Sequence, residues 1–361
     1  MISIRIFLIF ALSLCTLSAE IDPYTYVDSY KSSGFNEINR DVNMWLDTAI
    51  DTLNDEQIEC PTNVDDADEL YDIVQESISS PFIGHSIAVH FHDTLPSDKI
   101  TKTEMYSSIY NTISWYEGFS LNLKGLLGVT VDHSRKIGVD KMGHFFVEGW
   151  GFYKRAYLRG EVNIENAIRW GKFTERTYFG MTTTGVYSNA DLVANFNGMR
   201  FWNHLLLLNE DPIESKTRRF FKKPLFSCKD SKWKKNSRFN FHYYLDNAWD
   251  EERNCNYYDT ENIKEEVKAQ AAMKLGYKEL KKRDGVICPI RKRGCSREIF
   301  KYGKYAKDLL HESCFDESAS YRVDPEKYFP DSIYSRISEI QFPLLFPDID
   351  ARLLNSLELN Q

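Results

Sequence analysis

Residues 163–208 read NIENAIRWGKFTERTYFGMTTTGVYSNADLVANFNGMRFWNHLLLL. From Asn163, a residue type that caps helix N-termini, the side chains of Ile164, Ala167, Ile168, Gly171, Thr174, Glu175 and Tyr178 step by three and four along one face. Glu161, Glu165, Arg169, Lys172 and Arg176 fall on the other. This period predicts a helix over 163–178 with Glu175 on its inward stripe. FGMTTTGVYS, rich in Thr, Gly and aromatic residues, predicts a short β-hairpin or turn. A second helix is predicted over 189–208, with Ser188 and Asp191 at the S-x-x-D spacing of a capping box.

The same period recurs outward. Ile38, Val42, Trp45, Leu46, Ala49, Ile50 and Leu53 predict an amphipathic helix, and further helices are predicted over 66–76, 102–116, 140–158 and 261–283. SIAVHFHDTL, residues 86–95, alternates like a short strand and would place His90 and His92 on one side, where two imidazoles can ligate a metal, although packing is the plainer role. The expected fold class is mainly α, a helical core with a short hairpin, followed by an irregular cysteine-bearing region.

MISIRIFLIFALSLCTLSAEID has a basic residue, a short apolar run and small residues before the first acid, the pattern of a secretory signal peptide over 1–19. The apolar run is shorter than the roughly 20 residues a membrane span needs, and no later run qualifies. The expected location is therefore periplasmic or secreted. Six cysteines remain beyond the leader, Cys60, Cys228, Cys255, Cys288, Cys295 and Cys314, an even number that predicts disulfides in such a compartment. A local Cys288–Cys295 bridge across the intervening Pro and Gly is the first expectation. No C-x-x-C, H-E-x-x-H, phosphate-binding glycine loop or G-x-S-x-G elbow occurs.

The net charge of −8 conceals a split. Residues 20–80 carry 16 acids against 2 bases, and residues 216–238 carry 10 bases against 1 acid. Mutual attraction of the two regions accounts for this more simply than a surface for an anionic polymer, and no nucleic-acid partner is expected. The basic run sets the expected boundary between a helical catalytic domain over 20–215 and a basic C-terminal region over 216–361.

Burial disfavours the charged form of a carboxylate and raises its pKa, so an inward Glu175 would keep its proton near neutral pH. Protonating a glycosidic oxygen requires such a group. Residues 163–205 resemble the lysozyme superfamily, especially goose-type lysozymes and lytic transglycosylases, in which a catalytic Glu ends a helix and a hydroxyl- and glycine-bearing hairpin and helix follow. The wider pattern DKMGHFF…TTGVYSNADLVANFNG also resembles secreted proteins of predatory bacteria, some of them lysozymes acting on deacetylated peptidoglycan. The resemblance implies a lysozyme-like core that cleaves the glycan strand of peptidoglycan, with Glu175 as general acid, Thr182, Thr183, Thr184 and Tyr187 lining a groove, Ser188 fixing the turn, and no cofactor.

A competing constellation lies in VDKMGHFFVEGWGFYKRAY. Asp140, His144 and Glu148, spaced i, i+4 and i+8, stack on one face of a regular helix. With His133 or Asp191 they could hold a hydrolytic zinc or manganese ion. A buried hydrogen-bonded pair is preferred to a metal here, and helix capping is the preferred role of Asp191, with His144 and Glu148 supporting the site. The D-K-x-x-H-F and D-x-x-x-N pattern is also similar to uncharacterised exported lipoproteins and VanZ-like proteins. A non-enzymatic envelope-binding protein is the third expectation.

Overall fold

The structure, a computed structural model, describes residues 20–24, 31–78, 84–158, 160–177, 180–214, 222–290 and 295–330. The predicted leader, Tyr178 and the expected domain boundary at 215–216 lie outside the described residues. The chain is mainly α, with small antiparallel strand pairs, and no described helix is long and apolar enough to cross a membrane.

Helix α1 (Phe35–Asp55) follows its predicted period and buries Ile38, Val42, Leu46, Ala49, Ile50 and Leu53. Helices α2 (Asp68–Ile78) and α3 (Gly84–Thr94) follow. Here the strand expected over 86–95 is corrected: Ile87, Ala88, Phe91 and Leu95 are buried, a set at helical spacing whose adjacent pair Ile87 and Ala88 breaks alternation. His90 and His92, two apart on a helix, accordingly diverge. His90 Nε2 lies 3.5 Å from Asp41 Oδ2, whereas His92 Nδ1 accepts from the Gly128 amide at 2.9 Å. Nor does a helix span 102–116, where a 3-10 turn, Met105–Ser107, gives way to loop. The Ile109 amide donates to Asp22 Oδ2 at 3.0 Å, a side-chain partner that takes the place of a helical one.

After α4 (Phe119–Lys124), a hairpin of β1 (Val129–Asp132) and β2 (Arg135–Gly138) delivers the chain to the centre. There α5 (Asp140–Gly143), a π turn (His144–Glu148) and α6 (Gly149–Tyr157) run on continuously. Helix α7 (Ile164–Arg176) begins where predicted, with the Asn163 side chain accepting from the Asn166 amide at 2.9 Å. The hairpin expected after it is also corrected. Residues Met181–Thr184 form a helical turn, α8, ended by Gly185 at φ +76°. Strand β3 (Val186–Tyr187) leads into α9 (Asn189–His204), and beyond a hairpin of β4 (Phe226–Lys229) and β5 (Lys232–Lys235), β3 finds its antiparallel partner in the distant β6 (Tyr257–Tyr258).

Every residue of α9 is buried, so the helix has no solvent face and its polar side chains must find partners inside. Asn197 Nδ2 donates to the Tyr302 hydroxyl at 3.0 Å, Arg200 Nε to Asp211 Oδ1 at 3.0 Å, and His204 Nδ1 lies 2.8 Å from the Tyr244 hydroxyl. Helix α9 crosses the π turn and α6 at two glycines: a Cβ on Gly198 would stand 1.9 Å from the Phe145 carbonyl oxygen and 2.9 Å from Gly149 Cα. Because the obstructing atoms are backbone, relief requires the helices to part. Gly198→Ala is expected to destabilise the protein by about 1–3 kcal/mol, read from the denaturation midpoint; an unchanged midpoint would mean the two helices do not meet here.

The C-terminal region joins this core. Phe241, Tyr244 and Trp249 approach Phe145 with ring centroids 4.7, 5.1 and 5.8 Å away. Two asparagines of α1 clasp backbone in both directions. Asn43 exchanges bonds of 3.0 and 2.9 Å with Phe239, and Asn54 exchanges bonds of 2.8 and 3.0 Å with Trp233. Helix α10 (Glu261–Lys282), kinked at Gly276, leads to β7 (Val286–Cys288), α11 (Ser296–Tyr302), α12 (Ala306–Leu309) and β8 (Tyr321–Arg322), which pairs with β7. Disulfides join Cys60 to Cys228, Cys255 to Cys288, and Cys295 to Cys314. The local Cys288–Cys295 bridge is thereby corrected: Cys288 ends β7 beside the β6 segment, whereas Cys295 caps α11 beside the turn at Cys314.

Candidate functional site

Where α5, α7 and α9 converge, the interior holds an uncommon density of charge. Asp140 and Lys141 come from α5, His144 opens the π turn, Glu175 ends α7, and Asp191 and Asn195 lie on the first turns of α9. Glu20 enters from the first described segment and Glu251 from the loop between β5 and β6. Lys141 and Glu251 have fully buried side chains, and those of Asp140, Glu175 and Asp191 are 3%, 1% and 2% exposed.

Lys141 is the hub. Its Nζ stands 2.7 Å from Asp140 Oδ2, 2.5 Å from Asp191 Oδ1 and 2.5 Å from Glu251 Oε1. The opposite oxygen of Asp191, Oδ2, is 3.0 Å from His144 Nε2, and Asp140 Oδ1 is buried with no hydrogen-bond partner. Both aspartates therefore spend one oxygen on Lys141 and turn the other elsewhere. Asp140, His144 and Asp191 each offer a ligand atom within 4.8 Å of the others. On the far side of the ring, His144 Nδ1 is 3.2 Å from Asn195 Oδ1 and 4.0 Å from Glu175 Oε1, the latter also unpartnered.

Burial alone would neutralise this set, and the neighbours decide which members stay charged. Burial, then the Asp191 charge, holds the Glu175 carboxyl well above the usual range. Glu20 is raised by burial and then by Asp191 and Glu251. Glu251 is pushed up to about 7 by burial, which Lys141 only partly offsets. Asp191 goes the other way: against the pull of burial, His144 and Lys141 hold it below the carboxylate range. Burial is likewise outweighed at His144, which Asp191 raises to about 10, and at Lys141, which Asp140, Asp191 and Glu251 raise. The surroundings thus favour the charged forms of His144, Lys141 and Asp191 and the protonated forms of Glu20 and Glu175.

The Asn195 amide can pair with His144 in either protonation state. With Oδ1 toward the ring, the amide accepts from Nδ1–H, leaving Nε2 either to donate to Asp191 or to ligate an ion. With the amide reversed, its nitrogen would donate to Nδ1 at 3.2 Å and to the Asp191 and His144 carbonyl oxygens at 3.2 and 3.1 Å. That orientation suits a neutral ring protonated only at Nε2.

Of the residues singled out in the sequence, the fold brings Glu175, His144, Asp191, Ser188 and Thr184 to this centre. The Ser188 hydroxyl caps α9, accepting from the Asp191 amide at 3.2 Å, and lies 3.3 Å from Glu251 Oε1; the Thr184 hydroxyl donates to Glu20 Oε1 at 2.8 Å. Thr182 is exposed, and Thr183 bonds the Gly180 carbonyl at 3.1 Å, because successive residues of a helical turn face different ways. Glu148 is half-buried and outside the ligand group, since the wider π turn rotates it off the face of Asp140 and His144. His133 is exposed on the β1–β2 turn beside Asp132. Lys141, Glu20 and Glu251 escaped sequence reasoning, although the basic residue inside D-K-x-x-H was visible.

Tyr187 faces away, into a surface cleft of about 300 Å³ that Lys172, Arg176, Tyr257 and Lys307 also line. Arg176 immediately follows buried Glu175, so the cleft and the charged centre flank the same end of α7.

Comparison with known proteins returns nothing to set beside this arrangement: no family model, curated protein or solved structure matches the chain.

Proposed function

We propose that the protein is a metal-dependent hydrolase, exported from the cytoplasm, with Asp140, His144 and Asp191 as its ion ligands. The observation that carries this reading is the unpartnered, buried Asp140 Oδ1 in a ligand group where Lys141 takes the other Asp140 oxygen and one Asp191 oxygen, leaving Asp191 Oδ2 to face His144 Nε2. One imidazole and two carboxylates suit Zn²⁺, Mn²⁺ or Fe²⁺ and leave coordination positions for water, whose pKa a bound ion lowers. Lys141 orients both carboxylates and offsets their charge. Glu175 and Asn195 sit beside His144 Nδ1, the place of the group that fixes a ligating histidine's tautomer. Three disulfides support the extracytoplasmic setting.

Elemental analysis of purified protein and titration of the chelated protein with Zn²⁺ and Mn²⁺ test this. The expected result is one ion per chain, lost in Asp140→Asn and His144→Gln, and bound about 10–100-fold more weakly in Glu175→Gln. Neither co-purifying metal nor saturable uptake would overturn the reading.

Peptidoglycan glycan-strand cleavage is the second reading, favoured by the burial of Glu175 at the end of α7, which raises its carboxyl above the usual range as a general acid requires. It predicts chelator-insensitive release of muropeptides from sacculi, abolished in Glu175→Gln. Metal-dependent release, or none, would count against it.

A further inference from the structure

We propose that the surface cleft beside α7 binds a small organic anion, a carboxylate or phosphate group carried on a ring, with Arg176 and Lys307 pairing its charge and Tyr187 and Tyr257 flanking its ring. This stands independently of the ion-binding reading, since none of these residues belongs to the buried centre.

The cleft has the volume of a small-molecule site, about 300 Å³. Its back wall is a cross-strand pair: Tyr187 of β3 stands opposite Tyr257 of β6, with ring centroids 5.8 Å apart at 71°. Arg176 leans over this pair, its guanidinium carbon 6.0 Å from the Tyr187 centroid. The charges around the opening do not cancel. Lys172 Nζ is matched by Asp308 Oδ1 at 2.8 Å, whereas Arg176 and Lys307 have no acidic partner among the described residues. The Tyr187 hydroxyl likewise has no hydrogen-bond partner among them. Two unmatched cations over a concave, tyrosine-backed surface present the complement of a ring-bearing anion: the guanidinium can take two oxygens at once, and the ring can lie against the phenol edges.

Calorimetric titration of the full chain with phenylphosphonate, benzoate, inorganic phosphate and benzyl alcohol tests the assignment. Saturable binding of phenylphosphonate or benzoate is expected, and the tighter of the two identifies phosphate or carboxylate as the source of the charge. Arg176→Gln and Lys307→Gln should each weaken that binding about tenfold. Lys304→Gln should leave it unchanged, because Lys304 is paired outside the cleft with Glu165 at 2.7 Å. The variants alter exposed side chains, and near-ultraviolet circular dichroism checks that each is folded. The proposal is overturned if neither ring anion binds, if benzyl alcohol or inorganic phosphate binds as tightly as the better ring anion, or if the Arg176 and Lys307 variants bind it undiminished.

Discussion

Lys141→Met is expected to destabilise the protein by about 3–5 kcal/mol, because it strands buried acids without their shared cation. Met matches the length of the lysine stem, so the change isolates the charge from the packing. Asp140, Asp191 and Glu251 all lie within 2.7 Å of Nζ, and none can reach water in its place. The variant should also steepen the pH dependence. Glu251, already pushed up to about 7 by burial, loses the neighbour that lowers it, so the folded variant holds its proton more tightly still. An unfolded Glu releases its proton near 4.5, so the folded variant binds more protons above that pH and loses stability as pH rises. Urea denaturation at pH 5 and pH 8 reads both effects: the deficit relative to the parent should be larger at pH 8. A deficit below about 1 kcal/mol at both values would mean that the centre does not depend on this charge.

Removing the Cys60–Cys228 bridge as the Cys60→Ser/Cys228→Ser pair is expected to be the most damaging of the three disulfide deletions. The bridge spans 168 residues, against 33 for Cys255–Cys288 and 19 for Cys295–Cys314. Loop-closure entropy scales with the logarithm of the span and gives about 5, 4 and 3 kcal/mol in that order. The long bridge also fastens the segment between α1 and α2 to the β4–β5 hairpin, where Lys235 pairs with Asp47 across the acidic and basic regions. Guanidinium midpoints of the three double-serine variants give the ranking directly. If the Cys60–Cys228 variant proved the mildest, native contacts rather than chain entropy would set the contribution of that bridge.

Legibility in the sequence followed exposure. Helices α1 and α7 each have a wet face and a dry face, so their period showed, and Glu175 was found inside because it fell on the dry one. Ser188 was found as a cap because its partner lies only three residues away. Helix α3 deceived because Ile87, Phe91 and Leu95, four apart, fit either period, and only buried Ala88 separates the two. The turn after Glu175 was misread because β3 pairs with β6 some seventy residues on, a partner that no local pattern announces. The charged centre was half legible. Asp140, His144 and Asp191 stood out as chemistry, but what joins them is Lys141 answering Glu251 from 110 residues away, and a π turn that i, i+4 arithmetic does not anticipate.

Helix α9, dry on every side, has a bearing on how the molecule can be divided. Its surroundings come from α6 and α7 upstream and from Tyr244, Trp249, Tyr302 and Tyr305 downstream. A fragment stopping near residue 215 would peel away one whole flank, leaving Asn197 and His204 without Tyr302 and Tyr244. A chain cut near residue 215 is therefore expected to lose the packing of α9, whose backbone amides should be among the last in the intact protein to exchange with heavy water.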